Sequence, residues 1–286
     1  MVFSRKAVVV DMVPRGIAPG LSDVPETMLW TLYNRATEAM REDGILRDPK
    51  AVEIYGNIEY DYERSFGKAS PVHALRSLAF DREVIRFLEK YSNGTIVNLG
   101  EGLETQRFRI PSPQALWLSV DVPEAVQTRE AFIQPDAQHV HLPLSALDRA
   151  WFDAVPGDRP VFVTAQGLLM YFSEADVRSL LQDVCQKFDN CCLMFDTIPR
   201  WFSQKTTSPA GYSLTGNYVA PKMPWGIDRG EIRPTLTEWL GDSATIEDMG
   251  YPRLTRDLGW LMFALASRLP ILKDRIPTIV KVRPQR

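Results

Sequence analysis

The stretch Thr95-Ile96-Val97-Asn98-Leu99-Gly100-Glu101-Gly102-Leu103-Glu104-Thr105-Gln106 decides the fold. Its first five residues form a compact apolar run that ends at a glycine, which reads as a buried strand. Gly100 and Gly102 then let the chain turn sharply and leave no Cβ in the way of an approaching ligand. Similar short runs follow at 115–120, closed by Asp121, at 139–144, at 161–165 and at 191–195, closed by Asp196. Between the last two, residues 174–188 carry Val177, Leu180, Leu181 and Val184 at helical spacing. Strand, crossover and strand in this repetition predict an α/β protein with a mostly parallel sheet and helices on both faces. Residues 244–249 and 278–283 are late strands around a helix at 258–266, which makes a seven-stranded, Rossmann-like sheet.

Upstream of this core the pattern is helical. Ser22-Asp23-Val24-Pro25-Glu26 is a helix start, with a proline early in the first turn and acids near the positive end of the dipole. Met28, Leu29, Leu32, Tyr33 and Ala36 continue at helical spacing, and Gly44 marks the exit. A second amphipathic helix follows Ser70-Pro71. Downstream, 200–229 breaks the rhythm with Trp201, Phe202, Tyr212, Tyr218 and Trp225 among prolines and glycines. A solvated loop does not hold so many large apolar groups, so this segment folds over something. The organisation is one structural unit: a helical cover at 1–92, a core at 93–199, an insertion or lid over an acceptor pocket at 200–229, and the rest of the core at 230–286.

Composition narrows the function classes. The 286 residues hold 33 Lys+Arg against 36 Asp+Glu and are 45% hydrophobic, which argues against disorder, collagen-like repeats and a disulfide scaffold. A slightly acidic balance without charge runs predicts no nucleic-acid partner. Cys185, Cys191 and Cys192 read as small apolar side chains in a reducing compartment. Arg5 and Lys6 precede only four apolar residues, Ala7 to Val10, before Asp11, too few for a signal-peptide core. No apolar stretch is long enough to cross a bilayer. The expectation is a cytoplasmic protein with no membrane partner.

In a doubly wound sheet a ligand lies beyond the carboxyl ends of the strands, where the strand order reverses. Asp121, twenty-one residues after Gly100, can accept from both ribose hydroxyls of a nucleoside cofactor. A dinucleotide site needs a third glycine where this chain has Thr105, and Glu101 and Glu104 would repel a diphosphate. S-adenosyl-L-methionine, with a cationic sulfonium and no phosphate, fits that charge better. A nicotinamide-dependent oxidoreductase, or a non-catalytic module that binds a nucleoside or nothing, remains as an alternative. No GxSxG, HExxH or CxxC pattern is present, and His139 and His141, though on one strand face, have no third ligand, so no metal is expected.

With these pieces in place the chain resembles the leucine carboxyl methyltransferase family, in particular its bacterial branch of tetracenomycin-type polyketide O-methyltransferases. The matching stretches are 76–81, 97–105, 120–124 and Gln166-Gly167-Leu168-Leu169-Met170-Tyr171-Phe172. The resemblance implies a class I methyltransferase fold and a set of roles. Arg76 would hold the methionine carboxylate of the cofactor, Gly100 and Gly102 would flank the donor, and Asp121 would grip its ribose. Leu147 and Asp148 would sit at the adenine. Gln166 stands at a position held by glutamate in many relatives. Glu104-Thr105-Gln106 replaces a frequent Asp-Thr-Arg and is read as tolerated variation.

Methyl transfer from a sulfonium is an in-line displacement, so alignment and exclusion of water matter more than a nucleophilic side chain. A carboxylate acceptor needs only positioning, whereas a phenol needs help from a group titrating near neutrality. His73, one turn before Arg76, is the candidate base. Tyr33, Met170, Tyr171, Tyr212, Met223 and Trp225 would form a flat aromatic pocket for a small aromatic or polyketide-like acceptor.

Overall fold

A computed structural model describes residues 20–189, 191–252 and 274–284. Four helices open the chain: α1 (Asp23–Ala39), α2 (Pro49–Asn57), α3 (Tyr62–Phe66) and α4 (Val72–Lys90). The core follows as β1 (Thr95–Leu99), α5 (Gln106–Arg109), β2 (Leu116–Asp121), α6 (Pro123–Glu130), β3 (His139–Pro143), β4 (Val161–Ala165), α7 (Glu174–Lys187) and β5 (Cys192–Thr197). Beyond it lie α8 (Arg200–Thr207), the hairpin β6 (Tyr212–Thr215) and β7 (Tyr218–Ala220), α9 (Arg229–Leu240), β8 (Thr245–Asp248) and β9 (Thr278–Arg283). Single 3-10 turns at Arg149–Ala154 and Leu169–Tyr171 precede β4 and α7.

Local chemistry explains where these elements start. Asp48 accepts from the Ala51 N–H at 3.0 Å ahead of Pro49, and Asp61 accepts from the Arg64 N–H at 3.1 Å, so side chains cap α2 and α3. Ser173 does the same for α7. Helix α1 stops at Ala39, short of Gly44, whose N–H closes a separate turn onto the Arg41 carbonyl. The helix expected at 258–266 and the basic N-terminal segment lie outside the described residues. Among the described residues no helix is long and apolar enough to cross a membrane.

The seven strands lie in the order β3-β2-β1-β4-β5-β9-β8; the first five are parallel and β9 runs antiparallel to both its neighbours. The chain therefore leaves β1 once toward β2 and returns to its other side at β4, opening a crevice at the carboxyl ends. Alternation along each strand sorts the two faces. Val97, Leu99, Leu118, Val120, Val163, Leu193 and Phe195 pack with Val177, Leu180, Leu181 and Val184 of α7 and with Leu236 and Trp239 of α9. Ile96, Trp117, Phe162 and Met194 pack under Phe80, Val84 and Leu88 of α4. Toward the carboxyl ends this second face turns polar, with Asn98, Ser119, Thr164 and Asp196 all buried.

The cover is docked by charge. Arg35 of α1, buried to 1% exposure, donates to Asp48 at 2.9 Å, to Glu104 at 3.1 Å and to the Leu103 carbonyl at 2.7 Å. Arg109 of α5 reaches the same Asp48 and Glu104, each at 2.7 Å, and grips Asp81 of α4. Ser77 of α4 donates to the other Glu104 oxygen at 2.8 Å, and Thr105 bridges to Asp48. Three cover elements thus converge on the loop after β1. Replacing Arg35 by Met leaves Asp48 and Glu104 with Arg109 alone in a dry site, and removing one partner of such a cluster costs up to about 3–5 kcal/mol. Urea denaturation of Arg35→Met should register a loss of that size; a change below about 1 kcal/mol would mean that the cluster does not hold the cover.

Candidate active site

A crevice of about 1180 Å³, open mouth included, lies over the carboxyl ends of β1, β2 and β4. Its floor is Asn98 to Gly102, Val120 to Val122, Thr164 and Gln166 to Leu168; its walls include Ser145, Ala146, Tyr171 and Phe172. Helix α1 roofs it with Val24, Pro25, Thr27, Met28 and Thr31. The fit of that roof is close: a Cβ on Gly102, whose φ is +50°, would lie 2.9 Å from the Met28 Cβ, so a larger residue would lift α1 off the turn.

Asp121 closes β2 with its carboxylate turned into the crevice. One oxygen accepts from the Gly102 N–H at 2.7 Å and the other from the Val122 N–H at 2.9 Å. Each oxygen keeps acceptor capacity for a further donor, the geometry a vicinal diol requires. Burial pushes its pKa up to about 6 against the opposing pull of the Gly102 and Val122 N–H groups. Arg76 projects from α4 into the same space, its Nη1 on Asp196 at 3.0 Å and its buried Nε without a partner. The Gln166 Oε1 is likewise buried and unpartnered. An unmet cation edge, an unmet acceptor and a carboxylate with spare lone pairs are what a nucleoside carrying an amino-acid tail would satisfy.

Two further acids of the lining, Glu101 and Glu104, are already engaged, whereas Glu124 is exposed. Glu101 accepts from Asn98 at 2.9 Å and from Ser119, and pairs with Arg129 at 3.2 Å, although burial still raises its pKa. Glu104 is buried too, yet Arg109 and Arg35 hold it far below the usual carboxylate range. The repulsion that Glu101 and Glu104 were expected to exert on a diphosphate is thereby neutralised within the protein. What disfavours a dinucleotide is shape. Thr105 fills the place of a third glycine, and α5 is a single turn without the long dipole that holds a pyrophosphate.

Several expected positions fall elsewhere. Leu147 packs against the main core and Asp148 accepts from the Ala150 N–H at 2.9 Å as a cap; Ser145 and Ala146 line the wall instead. Of the six aromatic and methionine positions only Tyr171 borders the crevice. Tyr33 stacks on Tyr55 and Tyr62 inside the cover. Met170 and Met223 share a small cluster with Ile198 and Ala220, and Tyr212 packs its edge on Phe202. Trp225 belongs to the main core beside Phe195. No residue of 200–229 lines the crevice. The insertion spends its aromatics on packing, and Tyr218 reaches across to Phe66 of the cover.

His73 stands apart from the crevice lining. The Asn34 amide is oriented by the Ser70 N–H on its Oδ1, so its Nδ2 donates to His73 Nδ1 at 2.8 Å, which leaves the ring proton on Nε2. Burial, with Arg76 and Arg35 nearby, pushes its pKa well below the ordinary value. Its basic lone pair is occupied. His139 and His141 lie buried beside Arg129, and the described residues contain no cluster of three metal-ligating groups.

A parallel sheet reversed at β1, with an antiparallel penultimate strand and a crevice over the carboxyl ends of its central strands, is the class I methyltransferase architecture. The plantazolicin methyltransferase BamL, crystallised in complex with a triazolic desmethylPZN analog and SAH, superposes with a TM-score of 0.52 at 8% identity, covering 92% of this chain and 100% of that one. The leucine carboxyl methyltransferase family profile matches residues 28–185, and the chain belongs to that family of S-adenosyl-L-methionine-dependent enzymes. It is 30% identical to the tetracenomycin polyketide synthesis O-methyltransferase TcmP of Streptomyces glaucescens over 72% of this chain and 76% of that protein. It is also 27% identical to the S-adenosyl-L-methionine-dependent methyltransferase dpfgK of Gibberella zeae, over 59% of this chain and 62% of that one.

The raised Asp121 pKa sets a pH test. A diol donates to the ionised carboxylate, so cofactor-product affinity should rise with pH up to about 6 and level off above it. Protonation of the group at pH 5 should weaken S-adenosylhomocysteine up to about tenfold relative to pH 7, with proton release on binding in that window. Calorimetry should find this dependence flattened in Asp121→Asn, together with a loss of about 1–3 kcal/mol at pH 7. An unchanged affinity and pH profile in the variant would place the ribose elsewhere.

Proposed function

We propose that the protein is an O-methyltransferase acting on a carboxylate or acidic hydroxyl of a small, aromatic or polyketide-like molecule. Support comes from the crevice chemistry together with the likeness to TcmP. Asp121 would hold the ribose, Arg76 the amino-acid carboxylate, Gln166 a donor on the ligand, and Ser145 and Ala146 the rim of the base. S-adenosyl-L-methionine, when bound there, supplies an electrophilic methyl on a sulfonium. The protein's own contribution is to aim an acceptor oxygen along that axis and to keep water out, which the α1 roof and the Tyr171 and Phe172 wall are placed to do. The cytoplasm suits its three free cysteines.

The observation that carries the acceptor class is the state of the histidines. None is placed to take a proton from an acceptor: none lines the crevice, His73 gives its lone pair to Asn34, and burial with Arg129 nearby lowers the basicity of His139 and His141. The Tyr171 phenol is pushed up by burial and stays protonated. An acceptor that arrives ionised needs none of them, which selects carboxylates and acidic hydroxyls over ordinary alcohols and phenols.

A screen of aromatic carboxylic acids and acidic hydroxyaromatics with labelled donor tests this reading. Transfer should follow the ionised fraction of the acceptor, and His73→Gln should keep kcat within about threefold. Label released as methanol by mild base marks a carboxyl ester, and label that persists marks an aryl ether. Loss of turnover in a folded His73→Gln protein would restore the histidine as a base and overturn the acceptor argument. Cofactor binding without transfer to any acceptor would make the chain a binding module.

A further inference from the structure

We infer that Asp196, at the end of β5, is the positioning residue that aims Arg76 at the cofactor's carboxylate; this rests on the reading of Arg76 given above. Asp196 is buried to 3% exposure and joins three separate segments. One oxygen accepts from Arg76 Nη1 at 3.0 Å and from the Tyr251 hydroxyl at 3.5 Å; the other accepts from the Gly167 N–H at 2.5 Å. Arg76 and Gly167 both line the crevice, whereas Asp196 and Tyr251 stand behind them. The acid therefore touches the machinery from outside the ligand space.

The packing leaves the guanidinium little choice of place. At Gly167, with φ +67°, a Cβ would lie 2.6 Å from Arg76 Nη1, so the bare backbone of that turn forms one wall of the slot. Asp196 fixes both sides of the slot, drawing in the Gly167 N–H with one oxygen and the guanidinium with the other. Among the described residues Arg76 makes no other hydrogen bond, and its Nε is buried and unpartnered. Pinned at Nη1, the group keeps its remaining donors for a ligand carboxylate, which a guanidinium can take bidentately while still holding a second acid. The same charge lets Arg76 stay buried before any ligand arrives; an unpaired guanidinium there would swing toward solvent.

The test separates positioning from general support by using two ligands that differ only in the amino-acid tail. S-adenosylhomocysteine carries the carboxylate, and 5′-methylthioadenosine keeps the nucleoside and thioether without it. In Asp196→Asn, S-adenosylhomocysteine should bind at least tenfold more weakly while methylthioadenosine binds as to the wild type. The donor KM should rise with kcat at saturation within threefold. Arg76→Ala should show the same selectivity, and the double variant should be no weaker than Arg76→Ala alone. Asp196→Glu keeps the charge but moves it by one methylene, so it guards against a variant that fails to fold. It should lose S-adenosylhomocysteine selectively as well. Equal weakening of both ligands would make Asp196 a structural residue only, and unchanged S-adenosylhomocysteine binding in either folded variant would also overturn the inference. If Arg76→Ala itself spares S-adenosylhomocysteine, the reading of Arg76 fails first, and Asp196 has nothing to aim.

Discussion

Two buried guanidinium groups, Arg35 and Arg109, are the constraint on which the site depends. They share Asp48 and Glu104, and Arg109 adds Asp81, so α1, the start of α2 and α4 are all tied to one loop. That loop is the continuation of the turn that brings Gly100 and Gly102 under the crevice. A hydrophobic contact could hold the cover on the sheet, but it would leave the rotation of α1 loosely set. Directional ion pairs to a loop whose Glu104 itself belongs to the crevice lining set it closely, because each misplacement leaves a charge unpaired in a dry environment. The crevice roof is thus fixed by electrostatics and the sheet beneath it by packing.

This division explains what could be read from the sequence. The strands were legible because a buried strand has a short apolar signature, and β1, β4 and β9 match their sequence bounds. The carboxyl-end rule then pointed to Gly100 and Asp121 without any knowledge of tertiary contacts, and the family resemblance added Gln166; all three line the crevice. Helices α2 and α3 escaped because they are short and carry little periodicity; Asp48-Pro49 and Asp61 were their signals, two acids three residues ahead of the amides that they cap. Ser145 and Ala146 follow β3 directly and were open to the same strand-end rule, which the neighbouring Leu147-Asp148 obscured.

The aromatic residues were misplaced for a physical reason. A tyrosine or tryptophan in an irregular segment has the same composition whether it lines a pocket or fills a gap between layers. Tyr33, Tyr212 and Trp225 each went to a different cluster, in the cover, the insertion and the main core. Nothing local separates these fates, since they depend on which elements converge. Charge misled in the same way. Glu101 and Glu104 look like an acidic lip in the sequence, yet their partners Arg129, Arg35 and Arg109 lie 28, 69 and 5 residues away in the chain.

Once those pairs are counted, the electrostatics of the crevice become simple. Among the described residues its one lining cation, Arg76, is backed by Asp196, and at Asp121 burial raises the pKa to about 6. The lining also includes the apolar and aromatic side chains of Met28, Leu168, Tyr171 and Phe172, while its acids Glu101 and Glu104 are paired within the protein and Glu124 is exposed. A ligand that carries an anion at one end, a diol at the other and a cation between is matched at its ends by fixed charges and in its middle by a dry surface. Such a surface suits a sulfonium whose methyl must leave. Apolar walls solvate the positive charge less well than water does, so moving that methyl onto an anionic oxygen removes two charges from a site that stabilises neither strongly. Under the proposed transfer to an ionised acceptor the reaction would need alignment more than a proton carrier, in keeping with three histidines that the fold uses to fill and bond its interior.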